Sequence, residues 1–478
     1  MRITAILVAA TQVRVAAIFM LFLIALPASA SQKVRPWMLE DWTGEAPHLA
    51  DLGLRPQELA RALDNRLLTF AHPERPVSLP GANGPRHFSN ARFITTVARV
   101  DLPVQTLRRK MRDFSSYKTF FPMLTGSDVE VMNGKNQLVR FRIEIPMPAL
   151  ASFVIDFRFK QKLEDDGSIS GVMIDGEAKS LVAMIGGMTD ELKDQPVMTR
   201  WEFLPVSKNQ SLLVFTYWDR VDFKNYFSRK LLEQYPELHV VGPYMISAGA
   251  VESIRHKYSI PVSNPVRTGI PDWSGLALLQ PYMERLSAFG HVGILEPEHA
   301  LSEMTTQKPL RYSVLATRVA APSARARGMM TDYPYLPDVM KELEGIEVND
   351  RGREVDLDLD IRFAFMVIRF SLDMGLRNTW VSPERLEFRR TSGGLARLSG
   401  AAEWHPLPDN PHSLVLTTIA HEVGDEAPLV LRLAHRIVER IPFAEALAGM
   451  GVQIVVMERM KPWVEKQVAG SGWPSHRQ

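Results

Sequence analysis

A stretch of 32 residues occurs twice in this chain without a gap. Residues 99–130, RVDLPVQTLRRKMRDFSSYKTFFPMLTGSDVE, return as residues 318–349, RVAAPSARARGMMTDYPYLPDVMKELEGIEVN, at a constant shift of 219. Arg99/Arg318, Val100/Val319, Pro103/Pro322, Arg108/Arg327, Met111/Met330, Asp113/Asp332, Leu124/Leu343, Gly126/Gly345 and Val129/Val348 are identical pairs. A period this long is no solenoid repeat. It predicts two copies of one domain, each with its own core.

The hydrophobic pattern inside each copy has the same order. A strand leads to Pro103 or Pro322, which opens a short helix where a missing N–H costs nothing. Period-two alternation follows. Phe141, Ile143, Phe153, Ile155, Phe157 and Phe159 alternate with Arg142, Glu144, Asp156, Arg158 and Lys160. In the second copy Val355, Leu357, Leu359 and Ile361 alternate with Asp356, Asp358 and Asp360, and Met366, Ile368, Phe370, Leu372 and Met374 follow suit. Such alternation predicts antiparallel strands with one dry and one wet face. Further strands are expected near residues 169–175, 199–204 and 212–221, and near 386–391, 397–404 and 413–423. Trp404 is expected where Trp201 falls. Each copy closes with a helix, about residues 244–256 and 443–468, the latter with a break near Pro462. The fold class is therefore α+β, a sheet whose dry face is covered by one long helix.

The first thirty residues read as a signal peptide. Arg2 and Arg14 precede an apolar run from Val15 to Leu26, and Ala28-Ser29-Ala30 is an A-x-A site before Ser31. The run is shorter than a membrane span requires. The expectation is export to the periplasm or medium after cleavage. Residues 31–90 read as an extension, a strap packed on the domain that follows. A helix is expected at 55–70, from Leu59, Leu63, Leu67 and Leu68, followed by proline-rich chain without regular structure. Residues 91–260 and 309–468 hold the two copies. Residues 261–308 form a surface connection and 469–478 a tail.

With 56 basic and 54 acidic residues, the chain has no charge imbalance that would suit nucleic acid or a polybasic lipid contact. It has no cysteine, which excludes disulfides.

Asp332-Tyr333-Pro334-Tyr335-Leu336-Pro337 with Gly345-Ile346-Glu347-Val348 resembles the helix-to-strand segment of the START-like (SRPBCC) superfamily. The nearest branches are the coenzyme Q-binding and polyketide cyclase/dehydrase-like proteins. Asp113-Phe114-Ser115-Ser116-Tyr117 with Phe121-Pro122 is a weaker version. Trp201-Glu202-Phe203 resembles that family's W-x-F strand, and Trp404-His405-Pro406 departs from it. The resemblance implies two tandem helix-grip domains, each a curved antiparallel sheet wrapped on a C-terminal helix. It implies a pocket for a hydrophobic molecule such as a lipid, isoprenoid or quinone, and catalysis only in some branches.

No motif points to chemistry of another kind. There is no H-E-x-x-H, no nucleophile elbow and no phosphate loop, so no metal, cofactor or catalytic residue is assigned. Asp356, Asp358 and Asp360 read as a solvated outer face. His421 and Glu422 are neighbours on a strand and point to opposite faces. Arg99 and Arg318 read as structural salt bridges. The candidate pocket residues are Phe141, Ile143, Phe153, Ile155, Phe157, Phe159 and Gly249 in the first copy, with Met366, Ile368, Phe370, Met374 and Gly451 in the second. Gly249 and Gly451 sit inside the closing helices, where glycine costs about 1 kcal/mol against alanine. An apolar insertion at 181–196 has no counterpart in the second copy. It reads as a candidate lid, with Met184, Ile185 and Met188 hinged on Gly186-Gly187. The expected function is an exported carrier of a hydrophobic small molecule, with transient membrane contact. The alternatives are a cyclase- or hydrolase-type enzyme using the same pocket, and an envelope interaction module without ligand.

Overall fold

The computed structural model describes residues 34–40, 42, 46–81, 84–145, 153–179, 195–220, 226–258, 267–300, 309–365, 368–408, 411–428, 431–432, 435, 441 and 443–470. The chain divides into two compact units, one drawn mainly from residues up to 263 and the other mainly from those after it.

In the first unit the strands are β1 (Leu67–Ala71), β2 (Arg75–Leu79), β3 (Arg86–Ala91), β4 (Ile94–Val100), β5 (Leu124–Asn133), β6 (Asn136–Ile145), β7 (Phe153–Leu163), β8 (Ile169–Lys179), β9 (Val197–Pro205) and β10 (Ser211–Asp219). The main sheet is antiparallel in the order β1-β4-β10-β9-β8-β7-β6-β5. The second unit has β11 (Arg267–Thr268), β12 (Val292–Ala300), β13 (Leu310–Val319), β14 (Leu343–Asp350), β15 (Glu354–Phe365), β16 (Ile368–Ser382), β17 (Arg385–Gly393), β18 (Leu395–Pro406) and β19 (Ser413–Val423). Its antiparallel order is β12-β13-β19-β18-β17-β16-β15-β14, with β11 parallel to β12. Strand for strand, the two orders correspond. Helices Leu238–Tyr258 and Ala444–Ala469 close the units, packing on β1, β4 and β10 and on β12, β13 and β19. The second helix runs through Pro462 without a break.

The repeat is structural. Arg99 faces Leu212 across the β4–β10 ladder, and Arg318 faces Leu414 across β13–β19. Pro103 and Pro322 both cap the helices that follow. The shared Gly126 and Gly345 mark the same β-bulge, after Leu124 and after Leu343. A side chain there would press on Arg142 Cβ at 3.1 Å or Asp360 Cβ at 3.4 Å. The tryptophans correspond differently from expectation. Glu202 pairs with Val214 and Glu403 with Leu416, so Phe203, not Trp201, is the counterpart of Trp404.

The extension packs on the first unit as the expected strap, and both it and the connection also give a strand to the sheets. The helix expected at 55–70 stops at Leu63, where Asp64 takes a φ of 50°, and Leu67 and Leu68 belong to β1. The proline-rich chain beyond it forms the β2–β3 hairpin. Likewise the connection supplies β12. These segments are a second duplication, at a shift of 224. The 3-10 turns Leu49–Leu52 and Ser274–Leu276, the helices Pro56–Leu63 and Gln280–Leu286, and strands β1 and β12 follow in the same order. Each acts as a strap across the outer sheet face, held at equivalent points. Arg200 donates to Ala46 O at 3.2 Å, and Arg385 to Ile270 O at 3.1 Å. Glu202 accepts the Leu49 N–H at 2.9 Å, and Glu403 that of Trp273 at 3.2 Å.

The strap overturns the expectation of a wet outer face in the first unit. Met38, Trp42, Ala46, Val77 and Leu79 pack with Phe93, Leu138, Val172, Ile174, Met198 and Trp218, which point away from the closing helix. Asp156, Arg158 and Lys160 are therefore buried. They persist there because charges out of water need partners. Arg158 pairs with Glu130 at 2.7 Å and Asp175 at 3.2 Å, and Asp156 pairs with Arg140 at 3.1 Å. In the second unit the Asp356, Asp358 and Asp360 row is open to solvent or half-buried, as expected, with Asp356 paired to Arg377 at 2.8 Å.

Candidate functional site

The face turned to the first closing helix is fixed by Ser247, whose hydroxyl donates to Phe215 O at 3.2 Å and meets the Thr96 hydroxyl at 2.7 Å. Following the ladders outward from Thr96 and Phe215, alternate positions place Phe141, Ile143, Ile155, Phe157 and Phe159 on this same inner face. Phe141, Phe157 and Phe159 touch one another, with centroids 5.6–6.2 Å apart. Tyr117, from the 3-10 turn Phe114–Thr119, stacks on Phe141 at 5.7 Å and contacts Phe120, which reaches Tyr258 of the closing helix at 6.2 Å. Phe141 and Phe159 are buried, while Ile143, Ile155 and Phe157 are half-buried. The register gives Phe153 the alternate position next in line, opposite Ile145, and its side chain lies outside the described ones. Gly249 is half-buried on the helix, and its carbonyl accepts the Ser253 hydroxyl at 2.8 Å.

The same face carries an acidic pair that sequence reasoning did not single out. Tyr217 Oη donates to Asp219 Oδ2 at 2.9 Å. Both residues stand on alternate positions of β10 in line with Phe215. Burial pushes the Asp219 carboxyl up to about 6, against the opposing pull of the Tyr217 hydrogen bond. A carboxyl in that range can exchange a proton near neutral pH. Arg99 donates to Asn65 Oδ1 of the strap at 2.9 Å, a neutral partner rather than the expected ion pair.

In the second unit Met374 is buried on the inner face opposite Leu359. Ile368 and Phe370 lie on β16 with side chains outside the described ones, and Met366 lies outside the described residues. So do Met184, Ile185, Gly186, Gly187 and Met188 of the candidate lid. Gly451 is buried in the helix, but the close helix–sheet approach is at Gly449. A Cβ there would meet Ser313 Oγ at 2.7 Å and Ile419 at 3.0 Å.

This inner face is more polar than its sequence promised. His421 stands on it, two residues from Ile419 and fully buried, while Glu422 points the other way to Arg397. The two therefore do not act together. Thr417, Asn378 and the helix residue Gln453 are buried here as well. Nearby, His291 joins Thr317 Oγ1 to Glu458 Oε1, 2.8 Å on each side. Hydroxyl, imidazole and carboxylate in that order resemble a nucleophilic triad. Thr317 is only 2% exposed, however, so the trio fastens the helix to the sheet. Among the described residues no group of His, Asp and Glu is placed to hold a metal ion, and no helix is long and apolar enough to cross a membrane.

No protein-family model and no curated protein matches the sequence. Solved structures similar to it include the di-domain aromatase/cyclase StfQ of the steffimycin biosynthetic pathway, 10% identical over 78% of this chain and 99% of that one, TM-score 0.24. The ZhuI aromatase/cyclase from Streptomyces sp. R1128 is 18% identical over 34% of this chain and 99% of its own, TM-score 0.26. A START superfamily protein from Mycobacterium smegmatis is 16% identical over 34% of this chain and 97% of its own, TM-score 0.22. Strand order, shared bulge and closing helix give both units one α+β fold, an antiparallel sheet packed against its C-terminal helix.

Proposed function

We propose that the chain is an exported carrier that holds a hydrophobic small molecule between sheet and closing helix. One observation carries this reading. Along β6 and β7 of the first unit the usual burial is reversed in part, though Phe141 and Phe159 stay buried. Charged Asp156, Arg158 and Lys160 are buried on the outer face, while apolar Ile143, Ile155 and Phe157 on the inner face stay half-buried. A face built only to pack would bury its apolar side first, at about 25 cal/mol per Å². An apolar molecule seated against these side chains gains that burial instead, less the cost of association. A lipid, isoprenoid or quinone has the required chemistry. Export rests on residues 1–30, and delivery or loading through brief membrane contact follows from a cargo that water does not dissolve.

The test is titration with N-phenyl-1-naphthylamine, whose fluorescence rises in apolar surroundings. Phe157→Ser is expected to weaken binding at least fivefold while the unit melts normally. Unchanged affinity in that variant places the molecule elsewhere.

A second reading, a cyclase- or hydrolase-type enzyme on the same face, is favoured by the Tyr217–Asp219 pair. Asp219→Asn would abolish turnover in that case and leave probe binding intact. Equal turnover in both proteins would eliminate it.

A further inference from the structure

The whole chain is nearly neutral, yet its two copies are oppositely charged at one place. Residues 108–125 hold five cations, Arg108, Arg109, Lys110, Arg112 and Lys118, and one acid, Asp113. The matching residues 327–344 hold two cations, Arg327 and Lys341, and four acids, Asp332, Asp338, Glu342 and Glu344. Both windows fold alike, as a short helix, a 3-10 turn and the start of a strand. Cations suit the C-terminal end of a helix, but the second copy manages there with Arg327 alone. The fold therefore does not account for Arg109, Lys110, Arg112 and Lys118, which face Gly328, Met329, Thr331 and Pro337 in the alignment of the copies. Packing gathers these cations on one surface. Helix Val104–Arg112 buries Leu107 and Met111 and leaves Arg109 and Arg112 exposed. Lys110 Nζ lies over the Tyr258 ring, 5.0 Å from its centroid. Next to Tyr258, Lys257 Nζ donates to Thr119 O at 2.7 Å, which seats the end of the closing helix beside the exposed Lys118. Among the described residues none of Arg109, Lys110, Arg112, Lys118 and Lys257 is in an ion pair. Asp113 accepts the Ser115 hydroxyl instead.

We propose that this surface docks the first unit on an anionic lipid bilayer. The inference deepens the carrier reading by naming the partner that gives or takes the cargo, and rests on that reading only for the purpose of the contact. Two features favour lipid over an acidic protein. The turn beside the cations carries Phe121 and Met123, both half-buried, and the exposed Pro122. These are apolar groups suited to the layer beneath charged head groups. Aromatic rings then lead inward from the turn. Phe121 lies 5.5 Å from Tyr117, Tyr117 5.7 Å from Phe141, and Phe141 5.6 Å from Phe157. An apolar molecule that leaves the bilayer at Phe121 thus meets the inner face without crossing a charged surface. Each Lys or Arg beside an anionic bilayer raises partition about fivefold, and the gain fades with salt. The second unit, with four acids at the same place, is no second dock.

The experiment sediments the full chain with vesicles of mixed phosphatidylglycerol and phosphatidylcholine, and with vesicles of phosphatidylcholine alone. Partition onto the anionic vesicles should be at least about tenfold the stronger, and should fall at least about tenfold as sodium chloride rises from about 0.05 M to about 0.5 M. The triple variant Arg109→Gln, Arg112→Gln, Lys118→Gln should bind anionic vesicles about a hundredfold more weakly, at about fivefold per cation. All three side chains are exposed, so it should melt as the wild type does. Arg325→Gln with Lys341→Gln, exposed cations of the second unit, should change nothing. Equal partition onto both kinds of vesicle overturns the electrostatic dock. Anionic binding that survives the triple substitution, or that falls as far in the second-unit control, overturns the assignment of the surface. Binding to polyglutamate with no binding to anionic vesicles overturns lipid as the partner and identifies an acidic protein instead. If the triple variant melts early, Arg109→Glu and Lys118→Glu decide singly. Each reverses a charge and should weaken anionic binding about 25-fold, and no loss in either overturns the surface. Titration with N-phenyl-1-naphthylamine separates the two readings. Probe bound without vesicle binding overturns the dock and leaves the carrier reading standing, whereas vesicle binding without probe binding overturns the carrier reading and supports the dock.

Discussion

Removing the Glu202 carboxylate should release the strap of the first unit. Glu202 is buried and accepts from the Leu49 N–H at 2.9 Å and contacts His48 Nδ1 at 3.1 Å. A hydrogen bond to a charged group contributes roughly 1.5–3 kcal/mol and an ordinary one about 1 kcal/mol. Glu202→Ala loses both and leaves the Leu49 N–H unsatisfied, which sums to about 3 kcal/mol. A domain of roughly 200 residues loses about 2–4 °C in Tm per kcal/mol, so the first unit should melt about 6–12 °C lower. The hydrogen bond to Glu202 raises the His48 pKa, outweighing burial and Arg200. That part of the stability is complete below the unfolded value near 6.5 and fades as pH rises through the higher folded value. Glu202→Ala should therefore flatten the wild-type decline in stability above pH 6.5. Calorimetry across pH 5.5–8.5 measures both effects, and amide exchange at Leu49 reports the strap directly. A Tm change under about 2 °C, with Leu49 as protected as before, would refute the anchoring argument.

The counterpart Glu403→Ala should destabilise the second unit comparably and expose the Trp273 amide to exchange, because the two anchors are equivalent. Gly449→Leu should unfold the second unit or cost several kcal/mol by overpacking against Ser313 and Ile419. A normally folded variant would contradict the close approach. Asp219, raised from 3.8 to about 6, should contribute stability that is full below pH 3.8 and lost as pH climbs from there through 6. Asp219→Asn should remove that slope in a pH series of urea melts. Protein secreted by its native host should begin at Ser31, and mass analysis finding Met1 intact would rule out the signal peptide.

The strands and their order were legible because period-two alternation survives even where bulges bend the sheet. What covers each face was not. Alternation separates Phe157 from Arg158 but says nothing about which side meets water, and the strap buried the charged side. β1 was hidden because Leu59, Leu63 and Leu67 continue a helical stripe, and the stop lies in the backbone of Asp64 rather than in a proline or glycine. The strap duplication escaped notice because few identities survive, such as Pro47/Pro271 and Leu52/Leu276, at a shift five residues from that of the main repeat. The inner aromatic row was readable from residues alone. The buried polar residues of the second inner face were not, because His421, Thr417 and Gln453 come from two elements 32 or more residues apart, and nothing in an apolar helix announces which turn faces the strand.

On this reading the inner faces hold an apolar molecule. Native mass spectrometry of the full chain, purified without detergent from the compartment where its host places it, tests that most directly. The account predicts a bound apolar small molecule at one or more equivalents per chain, released on unfolding and depleted by Phe157→Ser. A native-state mass equal to the bare polypeptide, from protein that also fails to bind N-phenyl-1-naphthylamine, would contradict it.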